Sequence, residues 1–310
     1  MGKTRSLKQF SLWKELFGRA FKKLGRNNPL LLAGATAFFT LFSIAPILLF
    51  MIKLAGILFN DSEIKRTVAK KLAEVMGSKT QSQIAHTLSA LSSQAREPLV
   101  TILGFLVLLF LSTNIFNVVK ISLNTIWMVK PVQHLGLGQK LKMRLRFVLL
   151  IIAAGFFLVI GFVGETLKNL LGKELDGSIP YVSFYFRGVF HYLFSLVIDT
   201  AWFAIIFRYL ADVRPSWKTV FAGALFTAVL FILGRILLHS LLLHSNITTL
   251  YGASASIVLL LLFVFYASLL LYYGASFTVV WAEEFQQPVE PLPYAHFFEI
   301  EEKGSKPSGS

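Results

Sequence analysis

The stretch FAGALFTAVLFILGRILLHSLLLHSN, residues 221–246, decides the fold class of this chain. It is almost wholly apolar and exceeds the roughly 20 residues that a helix needs to cross about 30 Å of hydrocarbon. Two basic side chains, Arg235 and His239, interrupt it four residues apart, so they lie on one face of a helix. The stretch predicts a membrane-spanning helix with an unusual basic face.

The composition of the whole chain is that of a membrane protein. Of its 310 residues 55% are hydrophobic and only 15% are charged, against roughly 25% charged in an ordinary soluble chain. The formal net charge is +14, which in a membrane chain more often reflects basic residues kept on the cytoplasmic side than a nucleic-acid partner. We therefore expect no nucleic acid to bind. There is no cysteine, so disulfides and thiolate chemistry are excluded.

Six apolar segments are each close to the length of a membrane span. They run over Leu30–Ile52, Leu99–Val119, Phe147–Val163, Val182–Phe207, Val220–Leu243 and Ile257–Trp281. The fold prediction is an all-α polytopic membrane protein, with a six-helix membrane domain over residues 30–282. An even number of spans places both chain ends on one side of the membrane.

The Lys and Arg residues outside the spans predict the orientation. One side of the predicted membrane domain carries 19 of them, including those of both chain ends, and the other side carries nine. Since cytoplasmic connections hold an excess of Lys and Arg, we expect the N and C termini in the cytoplasm.

Three regions lie outside the spans. Residues 1–29 alternate apolar and basic residues at helical spacing, which predicts an amphipathic helix in the inner membrane interface, attracted to anionic headgroups. A helix packed on the cytoplasmic ends of the bundle is the compatible alternative. The insertion at about 54–98, between the first and second spans, predicts a small outer helical cap. Residues 283–310, rich in Pro, Glu, Ser and Gly, predict a disordered cytoplasmic tail.

Five motifs in order carry a family resemblance. They are AGATAFFTLFSIAPILLF from Ala33, STNIFNVVKISLNTIW from Ser112, DVRPSWKTVFAGALFTAVLFILGR from Asp212, LYGASAS from Leu250 and YYGASFTVVWA from Tyr272. With these motifs the chain resembles the YihY/virulence factor BrkB family over roughly Asn28 to Ala282. The resemblance implies a multi-pass protein of the bacterial inner (plasma) membrane. That family usually has an acidic residue where this chain has Ser276, so a role for such an acid is not carried over.

The same family was once labelled ribonuclease BN, and the residues argue against that activity. A hydrolytic metal site needs clustered ligands, and the six histidines of this chain form no HxH or HxxxH pair. Nor does the sequence contain a GxxxxGK[ST] phosphate-binding loop. We therefore expect no catalytic residue, no metal and no cofactor, and the chain is not predicted to be an enzyme.

The basic face of the opening stretch has a counterpart in the preceding span. The sequence RGVFH places Arg187 and His191 one helical turn apart there. Because consecutive spans joined by a short connection are usually neighbours, the two Arg/His pairs, Arg187 with His191 and Arg235 with His239, are predicted to meet in the outer half of the bundle. They would form a pocket for a phosphate or a phospholipid head, with Glu165 as the local counter-charge.

Two alternatives remain open for these charges. Instead of lining a pocket, the Arg187 side chain would extend to the outer interface, and Arg235 would pair with Glu165. Asp199, the remaining deep charge, is predicted to relay a proton or a cation, or else to pair with Arg208 or with a basic residue of the connection at 120–146.

The predicted function is transport or translocation of an anionic or amphipathic envelope substrate. Phospholipid or lipopolysaccharide precursors are the class that the resemblance and the Arg/His cluster both suggest, and membrane lipids are the expected partners. The alternative is a non-transporting scaffold that organises envelope proteins through its outer cap and its basic N-terminal helix.

Overall fold

The computed structural model describes residues 2–56, 113–132, 136–178, 180–243, 255–287 and 289–298. This part of the chain consists of seven helical segments and four short strands. In chain order they are α1 (Gly2–Gly25), α2 (Pro29–Gly56), α3 (113–126), β1 (Val129–Pro131), α4 (Leu137–Ser178), α5 (Pro180–Tyr209), β2 (Val213–Pro215), α6 (Trp217–Leu243), α7 (Ala255–Glu284), β3 (Val289–Pro291) and β4 (Ala295–Phe297).

Four of the described helices are long and apolar enough to cross a membrane. The spans lie in α4, α5, α6 and α7, at Leu137–Gly161, Tyr192–Tyr209, Trp217–Leu238 and Ile257–Glu284, and α2 contributes a shorter apolar stretch, Pro29–Ser43. These helices are apolar on nearly every face, as expected of segments surrounded by lipid and by each other. Only the end of the predicted second span is described, so the count of six spans stays a prediction. The predicted cap at about 54–98 lies outside the described residues except for residues 54–56.

Helices α6 and α7 cross through two matching motifs, GALFT at 223–227 and GASFT at 274–278. The Thr227 and Thr278 hydroxyls each donate to the glycine carbonyl of their own helix, over 2.7 Å. Each threonine also lies against the glycine of the other helix, where an added Cβ would overlap its hydroxyl. Small residues at such a crossing let two backbones approach closely, which drives helix association where lipid removes the hydrophobic effect.

At one end of the bundle the four strands form two antiparallel pairs, β1 with β4 and β2 with β3. We call this region the strand end. Three of its strands have the same pattern, V-x-P, in VKP, VRP and VEP, and proline is tolerated because each strand is an edge strand. Arg214 lies opposite Glu290 in the second pair, so the register also joins opposite charges.

The strand end differs from the sequence expectation of a disordered tail over 283–310. Residues 289–298 form β3 and β4, and Leu292 is buried. A Pro- and Glu-rich composition indicates disorder only when a segment has no apolar surface to bury and no strand to pair with. Here β1 and β2, from connections far earlier in the chain, supply both. Residues 299–310 lie outside the described part of the chain.

Helix α1 packs on the last turns of α7. Leu16 and Ala20 are buried against Phe277 and Val280, and Arg19 binds Glu284 over 2.8 Å. The structure therefore shows the alternative interpretation of residues 1–29, a helix docked on the bundle. Three aromatic side chains of the same helix remain exposed at its flank: Trp13, Phe17 and Phe21. Their contact with lipid stays a prediction.

Candidate functional site

Of the four residues predicted to form the pocket, the structure describes the side chain of Arg235 alone. Arg187 and His191 lie on α5, and His239 lies one turn beyond Arg235 on α6. The side chains of Arg187, His191 and His239 are outside the described residues, so their meeting stays a prediction. The same holds for the side chain of Glu165 on α4.

The carboxylate that contacts Arg235 belongs to Asp199. Arg235 Nη2 lies 2.9 Å from Asp199 Oδ2, and the pair joins α6 to α5. The sequence analysis expected Glu165 as the counter-charge of Arg235, and Arg208 or a base of the connection at 120–146 as the partner of Asp199. Arg208 instead donates to the carbonyl of Pro215 and lies over the Trp217 ring. Asp199 and Arg235 were thus both identified from sequence, but not as partners.

The direction of helical side chains explains this pairing. Asp199 lies ten residues before the end of α5 at Tyr209, and Arg235 lies eight residues before the end of α6 at Leu243. In a helix each Cα–Cβ bond tilts toward the helix N-terminus. Because α5 and α6 run in opposite directions, the two side chains lean toward each other, and the long arginine side chain spans the remaining distance.

The pair lies among apolar helices but is not sealed. Its side chains keep 43% (Arg235) and 20% (Asp199) of their surface exposed. The Arg235 guanidinium lies 5.3 Å from the centre of the Phe231 ring, a cation–π contact. Phe231 stacks in turn on Tyr266 of α7 at 6.3 Å. An aromatic wall from two helices therefore holds one side of the guanidinium, and its other side is open.

Two hydroxyl groups of α5 and α7 are buried without a hydrogen-bond partner among the described residues. They are the Oγ1 atom of Thr200, next to Asp199 in the chain, and the phenolic oxygen of Tyr266, whose ring stacks on Phe231 beside the Arg235 guanidinium. A buried hydroxyl without a partner is unfavourable by about 1–3 kcal/mol. A buried hydroxyl in this state is able to donate to a polar ligand that reaches it.

A second charged cluster surrounds Asp212 at the strand end, and both oxygens of its carboxylate accept hydrogen bonds. Asp212 Oδ2 accepts from Lys120 Nζ at 2.8 Å and from Asn124 Nδ2 at 2.7 Å. Its Oδ1 accepts from the Tyr294 hydroxyl at 3.0 Å, and that hydroxyl accepts from Arg146 at 2.9 Å. Asp212 is 0% exposed and Lys120 is 5% exposed. This network joins α3, the connection before β2 and the C-terminal segment.

Sequence reasoning did not identify Lys120 and Asp212 as a pair. Both stand in motifs that carry the family resemblance, VVKISLNTIW and DVRPSW, but those motifs are far apart in the chain. The signal that could have found the pair is that Lys120 directly follows an apolar segment and that Asp212 is the single acidic residue between Arg208 and Thr219. Ser276, where the resemblance implies an acidic residue, is buried and donates to the Tyr272 carbonyl at 3.0 Å.

Burial and the neighbouring carboxylate both act on Tyr294. Loss of contact with water raises the pKa of its phenol above 10.0, and the charge of Asp212 raises it further. Tyr294 therefore stays protonated and keeps donating to Asp212. Among the residues that the structure describes, no three His, Asp or Glu side chains are grouped so as to hold a metal ion.

The long apolar helices, the glycine–threonine crossing and the charged pair inside the bundle define the class: this is an integral membrane protein with a helical membrane domain. The profile of the family Virulence factor BrkB matches residues 20–295. The chain belongs to that family, which confirms the resemblance read from its motifs. It is not a known enzyme family. No curated protein and no solved structure matches the chain.

Proposed function

We propose that this protein transports or translocates an anionic or amphipathic envelope substrate, of the phospholipid or lipopolysaccharide-precursor class, in the bacterial inner membrane. The proposal includes six spans and cytoplasmic chain ends. The observation that carries it is the partly exposed Arg235–Asp199 pair, together with the hydroxyls of Thr200 and Tyr266, which have no partner among the described residues. Charges inside a membrane domain are unfavourable and typically mark a substrate or ion path.

The pair suggests how a substrate phosphate would be engaged. A guanidinium binds a phosphate through two parallel hydrogen bonds, and Arg235 has an open side on which to do so. The phosphate would replace the Asp199 carboxylate, while Tyr266 and Thr200 donate to it. Arg187, His191 and His239 are proposed to extend the same site.

Asp199 then gains a role of its own. When Arg235 turns to the substrate, the Asp199 carboxylate loses its counter-charge in an apolar setting and needs a proton or a cation in exchange. Binding of an anion by Arg235 would therefore be coupled to ion or proton uptake by Asp199. A relay of this kind was one of the two interpretations of Asp199 from sequence, and here ion uptake depends on whether Arg235 binds the substrate.

The test is substrate-dependent thermal stabilisation of the purified protein by phospholipids, compared across variants at this pair. Arg235→Ala should weaken lipid binding by roughly tenfold to a hundredfold, because hydrogen bonds to a charged group contribute about 1.5–3 kcal/mol. Arg235→Lys should recover little, since an ammonium lacks the two-pronged geometry. Lys218→Ala, which removes one exposed charge from the same helix, is the matched control.

Asp199→Asn separates binding from movement. Without the Asp199 carboxylate as a competitor, Arg235 should bind phospholipid at least as tightly as in the wild type. Lipid movement between the leaflets of proteoliposomes should slow. A lipid response that Arg235→Ala leaves unchanged would overturn the proposal. The protein would then fit the alternative, a non-transporting scaffold that organises envelope proteins through its outer cap and its basic N-terminal helix.

A further inference from the structure

A second potential anion site lies at the strand end, away from Arg235. It is a cavity of about 370 Å³ between α1, the last turns of α7 and the turn after α3. Four basic side chains line it: Arg19, Lys22 and Lys23 of α1, and Arg26, which directly follows the end of that helix. Met128 and Val280 form its apolar wall.

The packing of α1 aims these bases into the cavity. They are three or four residues apart, and the Arg26 amide still donates to the Lys22 carbonyl over 3.3 Å. The helical path therefore continues to Arg26, and the four bases form one stripe. A neighbouring stripe, with Leu16 and Ala20, is buried against Phe277 and Val280. Because that contact fixes the rotation of α1, the basic stripe must face the space beside the end of α7.

The carboxylates beside the cavity neutralise only half of the stripe. Glu283 binds Lys23 over 2.8 Å, and Arg19 bonds to Glu283 and Glu284. Lys22 and Arg26 have no acidic partner within the described part of the chain. Two cations one helical turn apart repel each other, so the cavity favours an anion that would bridge them.

The position of the cavity indicates where that anion comes from. Val280 and Glu283 belong to the last turns of the span that ends at Glu284, which is where hydrocarbon gives way to phospholipid headgroups. On the other flank of α1, Phe17 and Phe21 are exposed beside the same spans. The helix thus lies at the level of the lipid phosphates.

We propose that this cavity binds the phosphate of an anionic phospholipid from the adjacent leaflet, with Lys22 and Arg26 as its principal ligands. The lipid is a resident ligand that holds α1 against the membrane domain, not the transported substrate. The site shares no residue with the Arg235–Asp199 pair, so either proposal can fail while the other stands.

The experiment measures binding of dihexanoyl phosphatidylglycerol to the full chain in a nonionic detergent by native mass spectrometry. Lys22→Gln/Arg26→Gln should weaken this binding by roughly tenfold or more, because it removes two charge-assisted contacts. The matched control is Lys140→Gln/Lys142→Gln, which removes two exposed bases at the start of α4 and should leave binding as in the wild type. The same comparison in the Arg235→Ala background, which removes the proposed lipid contact at the Arg235–Asp199 pair, should show the same weakening.

Two variant pairs and two further ligands decide the outcome. Dihexanoyl phosphatidylcholine should bind at least tenfold more weakly, and glycerol 3-phosphate should not compete with the anionic lipid. Equal binding by the wild type and the double variant, equal loss in the control pair, or full competition by glycerol 3-phosphate would each overturn the proposal. Should the double variant melt early without lipid, the single charge reversal at exposed Lys22, Lys22→Glu, gives the same test.

Discussion

Two aspartates in this protein each bind a basic side chain from another element of the fold. Their carboxylates differ in exposure and in the number of hydrogen bonds that they accept. Asp212 is fully buried and accepts from Lys120, Asn124 and Tyr294. The Asp199 side chain is 20% exposed and bonds to Arg235 through one oxygen, Oδ2. A carboxylate whose acceptors are all used fixes the structure around it. One that is half satisfied can exchange its partner for a ligand.

The largest effect is expected at Asp212. Asp212→Asn leaves the Lys120 ammonium buried without a counter-charge, and breaking a buried pair in this way destabilises a protein by about 3–5 kcal/mol. We expect a strongly lowered melting temperature in detergent. Adding Lys120→Met should recover much of the loss, since no buried charge then remains. A single variant as stable as the wild type would show that Asp212 does not hold the strand end together.

The next largest effect tests the α6–α7 crossing that connects the two regions. In Gly274→Ala the new methyl group overlaps Thr227, and overpacking of this kind destabilises by about 1–3 kcal/mol. Gly161→Ala is the matched control, because nothing lies within 4 Å of its added Cβ. There alanine should be neutral or stabilising, through its higher helix propensity. Thermal shifts of the same sign and size in both variants would contradict the close approach.

A smaller change in stability is expected at Asp199. The Arg235–Asp199 pair is open on one side, and partly exposed pairs contribute about 1 kcal/mol or less. Asp199→Asn should therefore lower the melting temperature far less than Asp212→Asn, although it changes lipid movement. If the two substitutions destabilise the ligand-free protein equally, Arg235 is a structural counter-ion and the comparison between the two aspartates fails.

The smallest effect concerns pH. The pKa of Tyr294 is raised in the folded protein, so the protonated phenol contributes stability below pH 10, and this contribution is lost as the pH rises through the folded value. The melting temperature of the wild type should fall more steeply above pH 10 than that of Tyr294→Phe. Tyr209→Phe, at the exposed end of α5, is the control and should follow the wild type.

The amino-acid sequence determined several features of the site as well as of the fold. Runs of apolar residues such as 221–246 predict spans because the transfer of a helix into hydrocarbon depends on about 20 consecutive residues and on little else. Arg235 and Asp199 could be identified from sequence because each is a charged residue within such an apolar run. The ordered motifs predicted the family, which the profile match confirms.

Only the tertiary structure decided which of these charges meet. Asp199 pairs with Arg235, and Lys120 pairs with Asp212, across separations in the chain that no local pattern specifies. Residues 289–298 likewise form strands because they pair with β1 and β2. The sequence of this segment alone does not identify those partner strands. Hydrophobicity is a property of one segment and can be read along the chain. A hydrogen bond or an ion pair is a property of two segments, and its geometry exists only once helices and strands have packed.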